Sequence, residues 1–271
     1  MRFLNALLFA IMISLSAISS GFAGDMKQEI QSERVDYILN AAFARYGYDP
    51  YRTIGLDRNS VRLKIKKAPK DSTQAGIYSH FTLAGDFELL ADYDAIDLAK
   101  PATGYGMSLG IAVHTNGPLG AVFLSRSHHA DWSSCLIVTR ELPGEPEKKY
   151  EAEPFSTSAK KGRLGIRRTG KELILLAAEN KGELKELKRI PFGADPINQI
   201  RFYCDTGGAE LPIDGRFSSI VVRADAINGA AFPPDTRWPW TKWLLVFSLP
   251  VFLAGLVLLI LKRRRNRHEN S

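Results

Sequence analysis

Between Thr82 and Asp94 the chain alternates. Phe87, Leu89, Ala91 and Tyr93 fall on one side of an extended backbone and Glu88, Asp92 and Asp94 on the other, with Leu90 as the break. That is the pattern of a half-buried strand. Gly85-Asp86 ahead of it is turn chemistry, which predicts that a preceding strand through Ile77, Ser79 and Phe81 folds back to pair with it. Residues 61–66 alternate as cleanly. Further strands are expected over 105–113, where Gly106 and Gly110 mark bulges or close backbone approach, and over 119–125 and 134–139. Residues 162–176 read as strand, turn, strand, and 184–190, 197–204 and 217–222 supply three more; 144–149 reads as a turn or protruding loop. About ten or eleven short strands at regular spacing predict an all-β protein, a two-sheet antiparallel sandwich. Before them, Val35, Ile38, Leu39, Ala42 and Phe43 fit a helical stripe, while Val35, Tyr37, Leu39, Ala41 and Phe43 fit strand alternation equally well.

Both ends are hydrophobic. Met1-Arg2, an apolar run to about Ile18 and small residues ending at Ala23 describe a secretory signal peptide over 1–23, with an uncleaved signal anchor as the alternative. Near the other end, 243–261 contains no charged residue, and its nineteen residues would span about 28 Å as a helix, close to the hydrocarbon thickness of a bilayer. Trp238, Trp240 and Trp243 gather at one end of this segment and Lys262, Arg263, Arg264 and Arg265 close the other, so a single transmembrane helix with a cytoplasmic C-terminus is expected. The expected order is therefore signal peptide 1–23, a partly strand or short-helix extension 24–60, the sandwich 61–225, a Pro/Trp-rich juxtamembrane linker 226–242, the membrane helix 243–261 and a basic tail 262–271. This topology places the sandwich outside the cytoplasm.

The formal net charge of +7 becomes informative once located. Most of it lies in Arg2, Lys242 and the tail, leaving 24–241 close to neutral. The basic clusters at 64–70 and 160–171 are broken by turn residues and read as solvated strand ends, so no nucleic-acid partner is expected. Cys135 and Cys204 each lie on an apolar strand; a disulfide across the intervening loop and two separately buried thiols are both open.

Candidate chemistry is sparse. The most site-like loop holds His128, His129 and Trp132: two histidines that are surface groups or part of a binding site, and an indole that either stacks on a sugar ring or anchors the loop. Glu88, Asp92 and Asp94 form a carboxylate row of the kind a glycosidase uses, although the wet face of a strand produces the same row. Asp205-Thr206-Gly207-Gly208 and Asp92-Tyr93-Asp94 suggest calcium without specific ligand spacing, and no other cofactor is expected.

The strand opening Gly85-Asp86-Phe87-Glu88, the run Gly162-Arg163-Leu164 leading into Arg167-Arg168-Thr169-Gly170, and Ile200-Arg201-Phe202 with Asp214-Gly215-Arg216-Phe217 resemble the concanavalin A-like (laminin-G or lectin-type) jelly rolls. More narrowly, the chain resembles an uncharacterised bacterial family of secreted and membrane-anchored domains with that fold. The resemblance covers about 61–225 and tilts 35–43 towards an edge strand. Retaining glycoside hydrolases of this shape usually carry a Glu-x-Asp-x-x-Glu run, which is lacking here. The expected function is a membrane-tethered, non-catalytic module binding a glycan or another envelope component. The alternative is a scaffold subunit docking membrane or envelope proteins, and a glycoside-processing enzyme comes third.

Overall fold

The computed structural model describes residues 28–31, 42–57, 60–67, 73–116, 120–131, 134–142 and 149–229. The segments expected as signal peptide, membrane helix and basic tail lie outside them. So do Trp132, Trp238, Trp240, Trp243 and Lys262 to Arg265. Among the described residues no helix is long and apolar enough to cross a membrane.

Among the described residues, fifteen strands and one short helix run in the order β1 Gln28–Gln31, β2 Phe43–Gly47, α1 Pro50–Thr53, β3 Ile54–Asp57, β4 Ser60–Ile65, β5 Gln74–Ser79, β6 Thr82–Leu98 and β7 Met107–His114. After these come β8 Ala121–His128, β9 Ser134–Leu142, β10 Lys149–Ser156, β11 Lys161–Thr169, β12 Glu172–Glu179, β13 Lys185–Pro191, β14 Gln199–Asp205 and β15 Ile213–Asn228. They form two sheets. One has eight strands in the order β13-β12-β11-β6-β15-β4-β3, with β1 also on β15; the other has seven, β10-β9-β8-β7-β14-β5-β2. Every pairing is antiparallel.

Alternation decides what lies between the sheets. Phe87, Leu89, Ala91 and Tyr93 of β6 are buried, and they face Ile200, Phe202 and Cys204 of β14 and Leu109, Ile111 and Val113 of β7 from the other sheet. Edge-to-face aromatic contacts cross this core: Phe217 to Phe202 at 5.4 Å, Phe202 to Phe43 at 5.9 Å, and Phe43 to Phe81 at 5.4 Å.

The expected hairpin at Gly85-Asp86 does not form. β5 and β6 belong to opposite sheets, and the corner between them is Ser79 to Phe81. Gly85 lies inside β6 with φ +74°, opposite a register shift between Ala224 and Ala226 of β15. It is a β-bulge, and a glycine serves there because a Cβ would stand 2.3 Å from Asp225 Oδ2. Arg168, 1% exposed, fixes the bulge from the core side: its guanidinium lies over the Phe87 ring at 5.1 Å, donates to Gly85 O at 2.8 Å and to Asp195 O at 2.5 Å.

The N-terminal extension is also part of the sandwich. β1 and β3 join the eight-stranded sheet and β2 closes one edge of the other. Of the ambiguous segment 35–43 the described residues are Ala42 and Phe43, and Phe43 opens β2 as an edge strand. The strand β10 follows the expected loop as the opposite edge. Its Pro154 and its charged residues obscure the alternation, and an edge tolerates both.

Both cysteines are free and buried. Cys204 faces the core, whereas Cys135 lines up through Ser127 and Ser108 with Asp205, on the outer face of the same sheet. The two stand three strand spacings apart, about 14 Å, and point to opposite faces, which rules out the bridge left open by the sequence.

Candidate functional site

The carboxylate row of β6 is present and fully engaged. On the outer face of the eight-stranded sheet β6 runs between β11 and β15, and both neighbours present bases to it. Glu88 accepts from Arg167 at 2.5 and 3.0 Å and from Arg223 at 3.0 Å, Asp92 pairs with Arg163 at 2.6 Å, and Asp94 with Lys161 at 2.9 Å. On the far side of β15, Asp214 accepts from Arg62 and Lys64. Burial raises its affinity for a proton, but the two cations overcome that and hold its carboxyl below the usual range. Lys161, Arg163 and Arg167 of the basic cluster at 160–171 are thus the counter-ladder of this row, and Glu88 sits between two arginine partners.

The histidine loop resolves into separate roles. His128 ends β8 on its core-facing side, with Nδ1 3.0 Å from Leu98 O. His129 packs its ring onto Gly106, where any Cβ would stand 2.7 Å from the ring. Burial pushes its pKa below the ordinary histidine value, with Asp131 opposing and His128 reinforcing the shift. The two rings therefore do not share a ligand. Among the described residues no group of three His, Cys, Asp or Glu side chains could hold a metal ion, and the Asp205 carboxylate accepts from Gln74 Nε2 at 2.7 Å and from Gly207 N at 2.8 Å.

The outer face of the seven-stranded sheet gathers what the sequence dispersed over six strands. Register aligns Tyr78, Arg201, Ala112, Phe123 and Thr139 in one cross-strand row and Tyr46, Gly76, Tyr203, Gly110 and Ser125 in the next. Tyr203 lies between two glycines. A Cβ on Gly110 would stand 2.9 Å from its ring, so the glycine lets the tyrosine lie down on the sheet. Its hydroxyl bonds the Ser125 and Ser108 side chains, and Ser125 Oγ stands 2.9 Å from Ser127 Oγ. Around it stand Phe123 at 6.0 Å and, beyond Phe123, His114 at 5.5 Å. On the other flank Tyr46 and Tyr78 are 6.0 Å apart, His80 is 5.6 Å from Tyr78, and the Arg201 guanidinium lies 5.3 Å over Tyr46 while donating to Gln199 Oε1 at 2.6 Å. Burial raises the Tyr46 and Tyr203 phenols well above their ordinary value, so both are neutral hydroxyls.

The face thus offers half-buried aromatic rings set edge to face, with a few fixed polar groups, a composition suited to a saccharide or small molecule. Its described acids, Asp205 and Glu141, sit three strands and six residues apart in register, about 24 Å, far beyond the roughly 5 Å of a retaining pair. The sequence signal for this site was the alternation of β14: Ile200, Phe202 and Cys204 go inward, which sends Arg201 and Tyr203 outward.

No curated protein sequence matches this chain. Among solved structures it is similar to a legume lectin-like domain from Entamoeba histolytica, with a TM-score of 0.52 and 13% identity over 75% of this chain and 99% of that one. It is also similar to a β-1,3-1,4-glucanase (lichenase) from a mouse hindgut metagenome, with a TM-score of 0.47 and 10% identity over 73% and 99%. A third is a pseudo β-1,3-glucanase of Mycobacterium tuberculosis, at 0.46 and 9% over 70% and 92%. At such identities the likeness is one of fold, the concanavalin A-like jelly roll. Residues 38–237 match the family described as protein of unknown function (DUF1583), C domain, and the chain belongs to that family.

Proposed function

We propose that this protein is a membrane-tethered, extracytoplasmic, non-catalytic module that binds a glycan on the outer face of its seven-stranded sheet. The observation that carries the reading is the aromatic cluster of the half-buried Tyr46, Tyr78 and Phe123, backed by the buried Tyr203, beside Arg201 and Gln199, on a face whose acids are too far apart to act as a pair. Stacking supplies apolar contact to a sugar ring, and the guanidinium and amide orient its hydroxyls. The tether is inferred from the apolar run 243–261 with the basic residues after it, and the extracytoplasmic side from the signal-like 1–23.

The test is a screen of the full-length protein, purified in detergent, against neutral envelope and extracellular polysaccharides, with and without calcium. A reporter fused at each end tests topology in cells. Saturable binding with a cytoplasmic C-terminus supports the reading. Absence of binding across the panel, with a stoichiometric co-purifying protein instead, replaces it with a scaffold function.

A further inference from the structure

On one flank of the sandwich the edge strands β10 and β13 stand opposite each other, and between them lies a groove of about 440 Å³, within the usual range of ligand sites. Residues directly across from each other in a sheet share a face. Arg140 stands across from the core residue Val122, Glu151 across from Arg140, and Glu153 across from the core residue Val138. On the other sheet, Lys188 and Ile190 stand across from the core residues Leu175 and Leu173. All five side chains therefore point into the gap between the sheets, and all five line the groove. Val138 and Ile190, both buried, supply its apolar surface. Lys188 spans the gap to Glu153, and Arg189 is taken up by Glu172 and Glu186. Two charges are left over. Among the described residues Arg140 and Glu151 make no hydrogen bond and no ion pair, not even with each other across the strand pair. The Arg140 Nε is buried without a partner, so the stem is enclosed between the sheets and the terminal nitrogens are the part that meets the groove.

We infer that this groove binds a small aliphatic amino acid as its zwitterion, with the carboxylate on Arg140, the ammonium on Glu151 and the side chain against Val138 and Ile190. A guanidinium offers a carboxylate a planar fork of donors, and a glutamate accepts from an ammonium. Opposed residues of an antiparallel pair have their Cα atoms about 5 Å apart, so one small molecule can reach both. Glu151 and Glu153 oppose a ligand of net negative charge, and Arg140 and Lys188 one of net positive charge, which leaves a molecule that carries both. The site lies between the sheets rather than on the aromatic face, and does not depend on glycan binding there.

The experiment titrates the full-length protein in detergent, by calorimetry, with L-leucine, with N-acetyl-L-leucine, which lacks the ammonium, and with L-leucinamide, which lacks the carboxylate. Leucine is expected to bind at least about tenfold more tightly than either analogue, the effect of one charge-assisted hydrogen bond. Glu151 is exposed on an edge strand, so Glu151→Gln keeps the fold; it should weaken leucine about tenfold and remove the preference over N-acetyl-leucine. Arg140→Gln should weaken leucine by at least as much and remove the preference over leucinamide. A merely structural role for either residue would leave those preferences in place. The inference is overturned by the absence of saturable leucine binding up to about 10 mM, by either analogue binding as tightly as leucine, or by Glu151→Gln binding leucine as the wild type does. No glycan enters this comparison, so its failure is distinct from the failure of the glycan reading.

Discussion

Glu88→Gln separates a structural carboxylate row from a catalytic one. Glu88 is 8% exposed in its side chain and accepts three hydrogen bonds from two arginines, each about two-fifths exposed. The amide keeps one acceptor for Arg167 but turns an NH₂ group towards Arg223 and removes the charge both cations face. Breaking a fully buried pair costs about 3–5 kcal/mol, and a hydrogen bond to a charged group is worth roughly 1.5–3 kcal/mol. The arginines recover part of that from water because they are partly exposed, which places the expected loss near 2 kcal/mol. For a domain of this size that lowers Tm by about 4–8 °C. Thermal unfolding followed by near-ultraviolet circular dichroism measures it, and Arg223→Met alone and combined with Glu88→Gln closes a double-mutant cycle with a coupling of about 1 kcal/mol. A variant within about 0.5 kcal/mol of wild type, or additive single changes, would refute the assignment. So would glycan hydrolysis by the wild type that Glu88→Gln abolishes while stability is unchanged.

Two further outcomes are expected. Because burial depresses the His129 pKa in the folded state, the unfolded chain binds its proton first; stability is full above about pH 6.5 and falls as pH drops through that value, while the loss from Asp214, also depressed, begins only below about pH 4. Urea midpoints at pH 7.5 and 5 should therefore differ, and by less in His129→Gln; midpoints that match, or an undiminished difference in the variant, would count against it. The protein should migrate identically with and without reductant, and both thiols should resist alkylation at pH 8 until denaturant is added, since burial pushes Cys204 up to about 12 and raises Cys135 as well. Rapid native labelling of Cys204, or a mobility shift, would contradict the geometry.

Local alternation carried most of the fold. The inward face of β6, the hairpin of β11 and β12 at Gly170, and the inward Ile200, Phe202 and Cys204 were legible because period two is a property of a few neighbouring residues. Pairing was not legible in the same way. Gly85-Asp86 has turn chemistry, but its positive φ serves a bulge whose cause, Asp225, lies 139 residues further on in the chain for the Asp86 amide bond. The basic cluster at 160–171 reads as solvated strand ends until register sets Lys161, Arg163 and Arg167 beside Asp94, Asp92 and Glu88. The aromatic platform had only the alternation of β14 as a local signal: Tyr46, Tyr78, Phe123 and Tyr203 come from four strands, and register alone brings them together. His128 and His129, the most site-like pair in the sequence, turn out to bond a backbone carbonyl and to pack on a glycine.

The central claim concerns that platform, and affinity of the full-length protein for the neutral glycan found in the screen tests it most directly, with Tyr78→Ala and Arg201→Ala compared to wild type at matched circular dichroism. The account predicts a loss of about tenfold or more in each, as one stacking ring or one orienting guanidinium is removed. Unchanged affinity in both variants would contradict it, and would move the ligand off this face of the sheet.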